Sequence, residues 1–489
     1  MATFNLVRNS RVFYTTNVDP STGVVAATGF TTSNTQELQV LDGFTFGQTS
    51  NADTVTISEA GSTPVRGQRS FNTSLGQADF SFSTYIRPYK STTVKAEEYH
   101  LWNSLLGSVA IGAADATAID FTVVGSVGSS ATPLTVTYPS SVLTFATDMT
   151  VAGPASTPAS LTVGEVLMVT GHVNADHNTA IKITGVTAGT SGGFTATWVS
   201  NPASTSVTAA DWTDVKLTRT AWNANSSYAE VTSSLSNKNQ LVKFGMIMVV
   251  DGITYVIDNC CLNQAVIDFG LDGIAMVAWT GMGTKLRQIS TTAAFAIPGS
   301  GLTGGAITGG LTGTGYIYKN ADADFITNKL STITLKAGID GTGTVYNLAL
   351  TGGSITINNN VTYVTPANLG VVNIPIGYFT GTRAISGSVT AYLRTGTNNT
   401  ADLLSTLLSA AATSAGIEPK YQLVVSIGGS AATTKVVIEL PMAFLQIPTI
   451  DAAAVMSTTI NFTAEGHSSD ATSIDIENTN ELEVRYYHA

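Results

Sequence analysis

Two distant stretches of the chain alternate apolar and polar residues in the same phase. Between Phe80 and Arg87, Phe80, Phe82 and Ile86 fall on one face and Ser81, Ser83, Tyr85 and Arg87 on the other, the period-two pattern of a half-buried strand. At an offset of 307, Ser388-Val389-Thr390-Ala391-Tyr392-Leu393-Arg394 repeats Ser81-Phe82-Ser83-Thr84-Tyr85-Ile86-Arg87. There Ile385, Val389 and Leu393 oppose Ser386, Ser388, Thr390, Tyr392 and Arg394.

Each strand leads into a short apolar segment with helical spacing, over 97–106 and 401–408. Trp102-Asn103-Ser104-Leu105-Leu106 parallels Leu404-Ser405-Thr406-Leu407-Leu408, and Asp402 occupies a first turn, where the helix dipole favours an acid. Leu403, Leu404, Leu407 and Leu408 are spaced as one buried stripe. A third block closes each half: 266–280 parallels 449–463 at a constant offset of 183. Three blocks in one order predict a duplicated domain.

The drop from 307 to 183 places about 120 additional residues in the first copy, between helix and closing strands, assigned to a β-rich insertion at 113–218. Its clearest strands lie in 161–171, 180–186 and 194–199. Inserted segments grow from exposed loops, so this lobe is expected on the outer surface. A Gly/Thr-rich linker, 299–315, separates a discontinuous first domain (1–112 and 219–298) from a second (316–489). The expected fold is mainly β: two tandem sandwich or barrel domains, each with one short α-helix, plus an inserted small β domain.

Composition narrows the chemistry. Charged residues are 11% of the 489, which favours strands and small-residue turns, and a net charge of −11 gives no general phosphate-binding surface. Cys260 and Cys261, the only cysteines, are adjacent and read as buried small hydrophobes. The N-terminal residues lack the apolar core of a signal peptide, and no run of about 18 apolar residues occurs, so cytoplasmic folding without a membrane anchor is expected.

His172 and His177 around Asp176 read as a solvated hairpin turn rather than a metal pair, and His100 as a capping or interface residue; His467 and His488 lie in polar sequence. The acids Asp251, Asp258, Asp268 and Asp272 sit in turns of the closing β region. Gly304–Gly315 lacks the Lys-Ser/Thr of a phosphate loop. No catalytic residue, cofactor site or metal site is expected. Arg66, Arg69 and Arg87 read as interface salt bridges or solvated strand ends, and the guanidinium fork suits carboxylate pairing between subunits.

Asn34-Thr35-Gln36-Glu37, Gln48-Thr49-Ser50-Asn51, Ser58-Glu59-Ala60-Gly61 with Arg66-Gly67, and Asp79 through Tyr89 resemble the tail tube protein of T-five-type siphophages. Gly352 through Asn360, Ile374-Pro375-Ile376-Gly377, Phe379-Thr380-Gly381 and Ser386 through Leu393 extend that resemblance to the second half and skip the insertion. It implies a tube domain duplicated in one chain, with homotrimers forming pseudo-hexameric rings that stack around a lumen for double-stranded DNA. It further implies assembly in the host bacterial cytoplasm into the virion tail, partners such as a tape measure protein and tail terminator or tip proteins, and no membrane. The chain differs in its inserted lobe and in ending near the close of the second repeat, without a C-terminal immunoglobulin-like decoration.

On this reading Ser83, Tyr85, Arg87, Thr390, Tyr392 and Arg394 face the lumen or a ring interface, and Glu59, Arg66 and Arg69 contact the next ring. The competing readings are a phage tail spike or carbohydrate-binding adhesin, which would show many short rungs or an aromatic groove, and a polysaccharide-degrading enzyme.

Overall fold

The computed structural model describes most of residues 10–56, 68–87, 98–106, 241–289, 327–412, 420–428, 435–465 and 481–487, and gives backbone strands alone within 119–232 and 302–307. In the first repeat these are β1 (Arg11–Thr15), β2 (Thr35–Leu38), β3 (Thr45–Thr56), β4 (Gln68–Tyr85) and α1 (Tyr99–Leu106), then β5 (Tyr228–Thr232), β6 (Phe244–Val250), β7 (Ile253–Asp268), β8 (Met276–Gly283) and β9 (Lys285–Ile289). The second has β10 (Thr332–Ala337), β11 (Leu350–Asn358), β12 (Val361–Val364), β13 (Gly377–Thr380), β14 (Ala384–Tyr392) and α2 (Thr400–Ala412). It closes with β15 (Lys420–Ile427), β16 (Val436–Leu445), β17 (Thr449–Asp451), β18 (Ser457–Ala464) and β19 (Glu483–Tyr487). The mainly β class expected from the sequence, with one short helix per repeat, is what folds.

Each repeat pairs its strands in two layers, all antiparallel. In the first, β2–β1–β6–β7–β9 forms one layer and β3–β4–β8–β7 the other. The 16-residue β7 serves both, its first half pairing with β6 and β9 and its second with β8. In the second repeat, β10–β15–β16–β19 and β11–β14–β18–β17 take these places. Gln446, Ile447 and Pro448 interrupt the counterpart of β7 there, and Pro448 has no N–H to extend a ladder.

The register refines the repeat. Ser81 pairs with Thr280 and Ser388 with Asn461, so the 307 offset carries β4 onto β14, but the last strand matches at 181, not 183. Met276 follows its partner Asp268 by eight positions, whereas Ser457 follows Asp451 by six. A turn shorter by two residues accounts for the change. With that register, Phe80 opposite Gly281 corresponds to Gly387 opposite Phe462. A Cβ on Gly281 would meet Phe80 Cζ at 2.2 Å and one on Gly387 would meet Phe462 Cζ at 2.5 Å. Either strand supplies the ring and the other vacates its volume, which conserves the core under close packing.

The helices close the sandwiches. Leu101, Trp102, Leu105 and Leu106 of α1 are fully buried, and Trp102 meets Trp279 edge-on with ring centroids 4.9 Å apart. In α2 the sequence stripe is buried only in part: Leu403 and Leu407 are inside, Leu404 is half-buried and Leu408 is 50% exposed. The strands between 119 and 218 pair only among themselves within the described residues, in one seven-stranded and one two-stranded sheet. The hairpin order Val166–Thr170, Ala180–Val186, Phe194–Trp198 is present there.

Candidate assembly surfaces

The two repeats join edge to edge. The second half of β7 pairs with β11, from Gln264 opposite Asn358 to Asp268 opposite Ser354. The result is a continuous antiparallel array, β3–β4–β8–β7–β11–β14–β18–β17. Its core-facing positions include Phe80, Phe82, Trp279, Ile267, Ile355, Ile357, Val389 and Phe462, all at most 5% exposed. The alternate positions expose a hydroxyl-rich surface: Thr45, Thr280, Ser386, Asn461 and Thr463 are exposed, while Ser81, Ser83, Ser354, Ser388, Thr390 and Thr459 are half-buried. Across strands the hydroxyls satisfy one another, Thr45 with Ser81 at 2.8 Å and Thr390 with Thr459 at 3.3 Å.

Charge on this face is sparse. Asp79 and Asp268 are exposed, and partial burial raises the carboxyl of Asp79 above its ordinary range. Of the sequence candidates, Ser83 and Thr390 lie on this polar side, opposite Ala278 and Thr459. Tyr85 is half-buried and Tyr392 is 43% exposed. Arg87 is half-buried and donates to Gln39 Oε1 at 2.9 Å, while Arg394 is exposed. Arg69 is exposed on β4 opposite Val55; Glu59 and Arg66 lie outside the described residues.

Contacts across the repeat boundary were not foreseen from the sequence. The hairpin β12–β13 lies on the first repeat, where the Tyr363 hydroxyl donates to the carbonyls of Asn259 at 2.7 Å and Met282 at 2.9 Å, and Tyr378 to that of Leu241 at 2.8 Å. Asn359 Nδ2 donates to the Leu105 carbonyl at the end of α1, at 2.9 Å. Arg383 donates to Asn359 Oδ1 at 3.1 Å and lies 3.8 Å from Glu481. At the C-terminal end, β19 bridges β5 and β16, and Trp102 Nε1 donates to the Tyr486 hydroxyl at 2.7 Å.

The reactive-looking groups are structural. Cys260 and Cys261 are free and fully buried, and burial pushes both thiols well above the usual range, away from the nucleophilic thiolate. Asp258 is buried against Arg287, 2.6 Å away, and accepts the backbone N–H of Val25 at 2.9 Å. The His100 ring stacks on Tyr14 at 5.1 Å. His172, His177, His467, His488, Asp251 and Asp272 lie outside the described residues. Among the described residues no group of three or more His, Cys, Asp or Glu side chains is placed to hold a metal ion, and no helix is long and apolar enough to cross a membrane.

Two like sheets therefore add edge to edge beneath one polar face that is sparse in charge, an arrangement that further copies could extend. Over 471 residues, 95% of its length, the chain is 26% identical to the Tail tube protein pb6 of Escherichia phage T5, covering 74% of that protein. This similarity runs through both repeats and supports a T5-type tail tube protein, the resemblance read from the sequence. No protein-family model matches the chain. Among solved structures, a chain from the tail of an empty GTA particle, computed with helical refinement in C6 symmetry, aligns at 14% identity with a TM-score of 0.20. It covers 29% of this chain and 96% of that one, and at that TM-score the likeness carries no argument.

Proposed function

We propose that this protein is the structural subunit of a bacteriophage tail tube, resident in the virion tail, and that it acts by geometry rather than catalysis. The carrying observation is the β7–β11 junction: two like domains in one chain already extend each other's sheet in the way a ring of such domains requires. Three chains would supply six such domains, giving a pseudo-sixfold ring, and stacked rings would enclose a channel. Closure of the sheet removes the open edges that otherwise invite aggregation.

The hydroxyl-rich face suits the wall of that channel. It offers few cations to duplex phosphates, so DNA passes without the ion-pair capture that would hold it. A tape measure protein and tail terminator or tip proteins are the partners this role calls for, and 113–218 is retained as a separate peripheral lobe. Negative-stain microscopy of the purified chain tests the reading: rings or tubes support it, and a carbohydrate-specific monomer would favour the adhesin instead.

A further inference from the structure

The junction inside the chain specifies a second one that one chain cannot make. Its two sides, β7 and β11, each have a counterpart at an outer end of the array: β17 and β3. Among the described residues β17 pairs only with β18, and β3 only with β4, so each leaves one edge open. We propose that the open edge of β17 in one copy pairs antiparallel with the open edge of β3 in a second copy, in the register that sets Ile450 opposite Phe46. This rests on the ring reading above.

The register follows from the repeat. β7 maps onto β17 at 183, so Ile267 corresponds to Ile450 and Asp268 to Asp451. Ser354 pairs with Ser388 and Thr45 with Ser81, which makes Thr45 the counterpart of Ser354, Phe46 of Ile355 and Gln48 of Ile357. Inside the chain Ile267 faces Ile355, so between chains Ile450 faces Phe46.

Burial points the same way. Ile267, Ile355 and Ile357 are fully buried at the internal junction, whereas Ile450 is 47% exposed and Phe46 and Gln48 are only half-buried. Beside the open edge lies a cavity of about 480 Å³ that includes Phe44, Phe46, Val250 and Tyr255 in its lining, positioned to receive Ile450. A size exchange accompanies it. Phe269 covers Gly353 so closely that a Cβ there would lie 2.7 Å from Phe269 Cε2. One position past Asp451 the sequence has Ala452, and the counterpart of Gly353 is Phe44. Large over small becomes small over large.

The hairpin arm extends the match. In the second repeat Val361 donates its N–H to Asn263 Oδ1 at 2.8 Å as β12–β13 lies across the first repeat. The first repeat's arm, the outer part of β3 and β4, instead stands exposed, with Val55 at 47% and Phe71 at 53%, and Gln446, exposed, stands in the place of Asn263. The second copy's arm would cross the surface around Gln446 and Phe444. Because the two edges differ, the contact is heterologous and closes into a ring only if its rotation divides the circle.

Cysteine pairing tests the register. Directly opposed antiparallel residues lie about 4.5–5.5 Å apart at Cα, inside the range a disulfide spans. Oxidised assemblies of the F46C/I450C variant should migrate on denaturing, non-reducing gels as dimers and trimers that reductant collapses, and mixing F46C with I450C chains should give dimers. The offset pair F46C/T449C should cross-link at least tenfold less. Should Phe46→Cys impair folding, T45C/D451C, one position along, reports the same register. Tubes that form while the offset pair cross-links best, or while neither aligned pair does, overturn this pairing but leave the tube intact. Chains that never associate overturn both.

Discussion

The bond between Trp102 and Tyr486 joins the first repeat's helix to the second repeat's last strand, across 384 positions of sequence, and its removal has a calculable signature. Both side chains are fully buried. Trp102→Phe removes the donor from a buried hydroxyl, a loss of about 1–3 kcal/mol. The smaller ring leaves a void of roughly 40 Å³, which at about 24 cal/mol per Å³ adds about 1 kcal/mol. Tyr486→Phe strands the indole N–H instead and costs about 1–3 kcal/mol. In the double variant neither the indole N–H nor the hydroxyl of this bond is left without the other, so the loss should fall below the sum of the two single losses.

At about 2–4 °C per kcal/mol for domains of 150–250 residues, Trp102→Phe should therefore lower the calorimetric midpoint of the unassembled chain by about 4–16 °C and Tyr486→Phe by about 2–12 °C. The double variant should lower it less than the sum of the two. Burial pushes the Tyr486 hydroxyl far above its usual range, so the result should hold from neutral to mildly alkaline pH. Additive losses would show that the two side chains do not act as a unit and would refute the coupling of the repeats through this bond.

The pH response should carry the mark of Glu481, whose carboxyl burial raises above the ordinary range although Arg383 opposes the shift. A raised carboxyl favours the fold below its unfolded pKa and loses that contribution as pH rises through the folded one, so Glu481→Gln should gain stability relative to wild type as pH rises above the ordinary carboxylate range. Chemical denaturation at several pH values checks this, and the opposite slope would contradict it. For the channel wall, Thr280→Lys with Ser386→Lys, on exposed positions of the polar face, should make assembled tubes retain duplex DNA in cosedimentation. Retention should weaken as salt rises, with a log–log slope growing by about 0.9 per phosphate contact, and unchanged behaviour would place that face away from the DNA.

Much of this architecture was legible because half-buried strands write their burial into a period of two. Phe80, Phe82 and Ile86 against Ser81, Ser83 and Tyr85 marked the faces, and the 307 offset from Phe82 to Val389 matches the paired registers of β4 and β14. The change of offset to 181 was hidden, since alternation survives a turn shortened by two residues. Leu408 misled because helical spacing shows which residues share a stripe but not where the covering strands stop. The arm was invisible for a related reason: Tyr363 and Tyr378 look like ordinary strand aromatics until their hydroxyls find carbonyls of the other repeat. Asn359 and Arg383 gave no periodic signal at all, because they act as single tethers to α1 and not as members of a face.

The central claim is that one chain supplies two equivalent positions in a closed ring, and the symmetry of the assembled particle tests it most directly. Cryo-electron microscopy of tubes formed by the purified chain, with symmetry left free, should show rings of three chains whose inner wall has six nearly identical sheet segments. The outer density should then keep only threefold symmetry. Rings of six chains, or a chain that stays monomeric under assembling conditions, would contradict it.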